Sequence, residues 1–139
     1  MDYWRDAEGT LCTGPAKYIE RMIDNYVRTF NCKPKPYLLP LEKNDHPELD
    51  TSKLLGPDDI QIYQSLVGLI QWAVALCRFD AATACMTLAR FRAAPQKGHL
   101  ERARRTVGYL AKMKHGALRV RTGMPDFSEL EGTPEPDWA

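Results

Sequence analysis

Apolar residues recur three and four positions apart from Ile19 onward: Met22, Ile23, Tyr26, Val27 and Phe30 follow, with Glu20, Arg21, Asp24 and Arg28 between them. This spacing predicts an amphipathic helix over 14–30, capped by Thr13 and opened by Gly14-Pro15. Pro57-Asp58-Asp59 opens a second helix, predicted over 58–77, since proline suits a first turn and carboxylates suit the positive end of the backbone dipoles. From Leu66 to Cys77 only Gln71 interrupts the apolar run, so this helix is expected at the centre of the core, with Tyr63 and Trp72 packed inside. Asp80 is expected to cap a third helix over 81–92, with Ala84, Cys85, Leu88 and Phe91 inward. A fourth helix, over 97–113, divides into two faces. Leu100, Ala103, Val107, Leu110 and Ala111 form one, and Lys97, Arg102, Arg104, Arg105 and Lys112 form the other.

The remaining segments have weaker patterns. Residues 1–12 read as an edge strand or hairpin arm around Ala7-Glu8-Gly9, and Leu118-Arg119-Val120-Arg121 alternates as a short strand. Residues 31–57 contain Pro34, Pro36, Pro40, Pro47 and Pro57, with one apolar cluster at Tyr37-Leu38-Leu39. They read as a proline-rich linker and a candidate hinge, weakly packed except at Tyr37 to Leu41, which is expected to lie along the helices as an extended strap. The chain is thus divided into an edge strand and first helix (1–30), the linker (31–57), a helical core (58–121) and an acidic tail (122–139). The fold class is mainly α: about four helices with one or two short peripheral strands.

Charge sharpens this picture. The 139 residues suffice for one core, and 19 basic side chains nearly cancel 18 acidic ones. Their distribution is uneven: residues 90–121 carry ten Lys and Arg against the single acid Glu101, whereas residues 122–139 carry five acids and no base. Concentrated like charge raises a potential that a lone lysine does not, and the partner it favours is a polyanion. The candidate nucleic-acid-binding set is Lys97, Arg102, Arg104, Arg105, Lys112, Arg119 and Arg121, residue types that neutralise phosphates without reading bases.

Other chemistry finds little support. Cys12, Cys32, Cys77 and Cys85 lack the paired spacing of a zinc site, and Cys77 and Cys85 fall in apolar segments, where buried thiols are expected. His46, His99 and His115 lie in three separate contexts, and no glycine-rich phosphate loop, nucleophile elbow or His-Glu-x-x-His pattern occurs. The polar amino terminus and the shortness of the longest apolar run favour an intracellular, reduced chain with no membrane span.

Several phrases in fixed order resemble a known family. Tyr63-Gln64-Ser65-Leu66-Val67-Gly68-Leu69-Ile70-Gln71-Trp72, then Arg78-Phe79-Asp80, then Arg90-Phe91-Arg92-Ala93-Ala94-Pro95 with Gly98-His99-Leu100, and finally Arg105-Thr106-Val107-Gly108-Tyr109-Leu110-Ala111-Lys112 are similar to the later part of the reverse transcriptase region of copia-type retrotransposon polyproteins. Lys17-Tyr18-Ile19-Glu20-Arg21-Met22 and Leu39-Pro40-Leu41 are similar to that family's upstream helix and its short segment before the linker. Phe79 replaces a usual proline, and Gly14-Pro15-Ala16 replaces a usual Ser-Gln. The resemblance spans roughly residues 9–121. It implies a helical thumb and connection piece of a larger polymerase fold, contacting a template-primer duplex of DNA or RNA–DNA hybrid. It also implies that the polymerase Tyr-x-Asp-Asp hairpin lies before residue 1 and the ribonuclease H carboxylates after residue 139, so that this piece is non-catalytic. Magnesium would serve the parent polymerase, with no cofactor in this fragment. Glu135-Pro136-Asp137-Trp138-Ala139 faintly resembles the opening of that nuclease. A small helical interaction domain whose basic face meets an acidic protein is the alternative.

Overall fold

The computed structural model describes residues 1–120, so Arg121, the acidic tail and the nuclease-like ending lie outside the described residues. Strands β1 (Asp2–Arg5) and β2 (Leu11–Gly14) form the hairpin expected around Ala7-Glu8-Gly9. Its turn is held by the Asp6 carboxylate, which accepts from the N–H groups of Glu8 (3.0 Å) and Thr10 (2.9 Å). Gly9 supplies the left-handed backbone there, at φ 78°. Strand β3 (Leu118–Val120) pairs antiparallel with β2, giving a three-stranded sheet in the order β1-β2-β3.

Helix α1 (Ala16–Phe30) starts two residues later than its periodicity predicts. Thr13 and Gly14 belong to β2, and a Cβ on Gly14 would sit 2.9 Å from the Gly116 carbonyl oxygen, so Thr13 does not cap the helix. The helix ends at Asn31, whose left-handed backbone (φ 56°) lets its N–H reach the Val27 carbonyl at 2.8 Å.

Helix α2 (Pro57–Ala75) is the central element and packs against α1, α3 (Ala82–Ala89) and α4 (Lys97–Lys112). Tyr63, Val67, Ile70 and Ala73 are fully buried. Each large apolar side chain of this set contributes roughly 1.5–3 kcal/mol through removal from water. Trp72 departs from expectation, being 59% exposed. Neighbours cover three sides of α2, and Ser65, Gly68 and Trp72 fall at helical spacing on the fourth.

After α2, Cys77 turns the chain at φ 81° and Arg78 enters the interior, 1% exposed. Its guanidinium donates to both carboxylate oxygens of Asp80 (3.0 and 2.8 Å) and to the Met113 carbonyl (2.7 Å). Asp80 therefore closes an ion pair, with Tyr109 Oη donating to it at 2.6 Å, and is not the predicted helix cap. A short 3-10 turn, Phe79–Ala81, precedes α3, which stops at Ala89 before Pro95. All four cysteines are free thiols: Cys12 and Cys85 are buried, Cys77 is partly buried and Cys32 is exposed.

Residues 31–57 contain one short 3-10 turn, Pro47–Leu49, yet they are not loose. They run along α4, against two glycines. A Cβ on Gly108 would meet the Lys35 carbonyl oxygen at 1.9 Å, and one on Gly98 would meet the Asp50 carboxylate at 1.7 Å. Buried His99 clamps the same segment: Nδ1 accepts from the Gln96 N–H (3.0 Å), which leaves Nε2–H to donate to the Pro47 carbonyl (2.8 Å). The extended strap expected at Tyr37 to Leu41 lies on α4, with Tyr37 against Gly108 and the Thr106 hydroxyl donating to the Pro40 carbonyl at 3.1 Å, while Leu38 and Leu39 face solvent. Polar contacts hold the segment instead, and they act on charged side chains of α4.

Candidate nucleic-acid interface

The two faces of α4 arise from its sequence period, with Ala103, Val107 and Leu110 fully buried and the basic residues on the side that meets the strap. Lys97 and Lys112 lie exposed at its two ends. At 1.5 Å per residue the line between them is about 22 Å long, enough to run beside roughly six base-pair steps.

The middle of the line is occupied from within the chain. Arg102, whose side chain is 20% exposed, donates to both oxygens of Asp45 (2.7 and 3.0 Å) and also to Asp50. Arg102 holds the Asp45 carboxyl below its ordinary range, chiefly through this hydrogen bonding. Burial alone would raise Asp50, but hydrogen bonds from Ser52 and Arg102 outweigh it and hold that carboxyl at about 2. Arg102 is thereby a structural clasp, and its charge is not the free phosphate contact that the sequence alone suggests.

Arg104 and Arg105 are held differently. The Arg104 guanidinium lies over the Phe30 ring at 4.3 Å and its Nε donates to the Tyr26 hydroxyl at 2.8 Å. Arg105 lies over Tyr37 at 4.3 Å, with one long contact of 3.4 Å to exposed Glu42. Its Nε–H is buried without an acceptor. Aromatic support fixes both guanidinium planes while leaving much of their donor capacity unused.

Lys33 and Lys35, on the strap, line the same open cavity of about 330 Å³ as Arg104 and Arg105. Neither lysine forms an ion pair among the described residues. Four cations and Glu101 thus meet around one hollow. Lys33 and Lys35 were not singled out from sequence, although the Lys-Pro-Lys-Pro run before Tyr37 is a visible signal of clustered charge in a stiff segment. Arg119 stands apart on β3, its side chain 68% exposed and 3.6 Å from Asp6. The predicted set is therefore only partly assembled: Arg104 and Arg105 converge, Lys97 and Lys112 flank them, Arg102 is committed internally, and Arg121 lies outside the described residues.

No group of three or more His, Cys, Asp or Glu could hold a metal among the described residues, and the paired carboxylates Asp45 and Asp50 are taken by Arg102. No described helix is long and apolar enough to cross a membrane. Comparisons with protein-family models, with curated proteins and with solved structures find no match to this chain.

Proposed function

We propose that this chain is a non-catalytic piece of a retrotransposon reverse transcriptase that holds nucleic-acid duplex through its phosphates. The observation that carries the reading is the meeting of Lys33, Lys35, Arg104 and Arg105 around one hollow, between exposed Lys97 and Lys112. Lysine and arginine in this arrangement neutralise phosphates and position a duplex without reading its sequence. The family resemblance gives further support, because most of its phrases fall within single structural units. Tyr63 to Trp72 lies in α2, Arg78-Phe79-Asp80 forms the turn closed by the ion pair of buried Arg78 with Asp80, and His99 is the clamp at the start of α4. Polymer synthesis and hydrolysis would belong to other parts of the parent polyprotein, and this piece would contribute grip.

Competition tests the reading. A labelled RNA–DNA hybrid is bound to the full chain at low salt and challenged with unlabelled DNA duplex or with polyglutamate of matched charge. Displacement by duplex at much lower concentration than by polyglutamate is the expected result. Preferential displacement by polyglutamate would instead favour an acidic protein as the partner of the basic face.

A further inference from the structure

We infer that the hollow between the strap and α4 is a phosphate-binding site, built to take one backbone phosphate of a nucleic acid. The inference deepens the duplex reading above and rests on it for the identity of the ligand, while the site itself is argued from its own chemistry.

Three features separate this hollow from an ordinary basic surface. Its cations come from two segments far apart in sequence, Lys33 and Lys35 against Arg104 and Arg105, and they converge only because the strap crosses α4 at Gly108. Its guanidinium groups are immobilised before any ligand arrives, Arg104 on Phe30 and Arg105 on Tyr37. Little ordering entropy is then lost on binding. Finally, the Arg105 guanidinium makes a single long hydrogen bond among the described residues, 3.4 Å to exposed Glu42, so a ligand oxygen can take donors that folding leaves free. An anion with several acceptor oxygens and a compact shape suits this set, and guanidinium pairs with phosphate by parallel hydrogen bonds. The carboxylates nearby, Glu101 in the lining and Glu42 at 3.4 Å from Arg105, are like charges that an incoming anion must displace or outbid.

The full chain is titrated with inorganic pyrophosphate and, separately, with a short DNA duplex, following the Arg105 Nε–H resonance and the dissociation constant. The wild type is compared with the Lys33→Ala/Lys35→Ala double variant, with Arg104→Lys, and with a Lys17→Ala/Lys53→Ala control that removes equal charge elsewhere. Weakening of duplex binding by about tenfold in the strap variant and in Arg104→Lys, little change in the control, and a shifted Arg105 resonance are expected. Pyrophosphate binding with the same variant pattern but no duplex binding would keep the phosphate site and remove nucleic acid as its ligand. Duplex binding that is unchanged in the strap variant, or reduced equally in the control, would overturn the inference while leaving the duplex reading standing. Binding of neither probe would overturn both. The strap lysines are exposed, so their loss leaves the fold intact, and unchanged helicity checks this.

Discussion

Arg102 and Asp45, 57 positions apart, are joined by two parallel hydrogen bonds of 2.7 and 3.0 Å, and this pair converts a proline-rich connector into a strap across α4. The same guanidinium holds Asp50, so one side chain ties two points of the strap. Both carboxylates and the guanidinium are largely sheltered from water, which makes the pairing stronger than a typical surface ion pair.

Replacing Arg102 by Ala removes the clasp and leaves two sheltered carboxylates without their donor. Stability is expected to fall by about 2 kcal/mol, the scale of hydrogen bonds to charged groups. Hydrogen exchange should show faster exchange at Asp50 and Ser52, with α2 amides following only the global change. Unchanged exchange across 45–52 would contradict the clasp.

Much of the helical framework was legible in the sequence, because α2 and α4 carry strong periodic or continuous apolar patterns and their neighbours are defined by them. The strap was not. Its attachment depends on Arg102, which reads as a candidate phosphate contact, on Asp45 and Asp50, which no local pattern pairs with it, and on close approaches at Gly98 and Gly108 that no local pattern reveals. Trp72 was misplaced for a related reason: an apolar run does not reveal which side of a helix lacks a neighbour. Arg104 and Arg105 were visible as candidate contacts, whereas Lys33 and Lys35 reach the same hollow only through the path of the strap.

The clasp has a definite acid dependence. Asp45 and Asp50 titrate lower in the folded chain than in the unfolded chain, so below about pH 4 the unfolded state binds more protons. Their stabilisation is complete above that pH and is lost as pH falls toward about 2, where Asp50 protonates. Denaturation of the wild type followed between pH 5 and pH 2 should therefore lose stability more steeply than that of the Asp45→Asn/Asp50→Asn variant. Identical slopes would show that these carboxylates are not held by Arg102 in solution.

Two glycine substitutions should have opposite signs. Gly108→Ala places a methyl against the Lys35 carbonyl, with a 1.9 Å approach that only backbone movement relieves, and a loss of about 1–3 kcal/mol is expected. Gly68→Ala in α2 meets nothing within 4 Å and gains helix propensity, so a gain of about 0.5–1 kcal/mol is expected. Urea unfolding of both variants measures the pair. Equal effects would contradict the contact between the strap and α4.

The salt dependence of duplex affinity tests most directly whether this chain holds nucleic acid through phosphates. The full chain is titrated with an RNA–DNA hybrid of about 16 base pairs, in two unrelated sequences, between about 20 and 200 mM monovalent salt. Neutralising three or four phosphates gives a slope of about −3 in the logarithm of the association constant against the logarithm of salt, at roughly −0.9 per phosphate for a DNA duplex. That slope, equal for both sequences, is the expected result; no binding at about 20 mM salt, or binding with a slope near zero, would contradict the account.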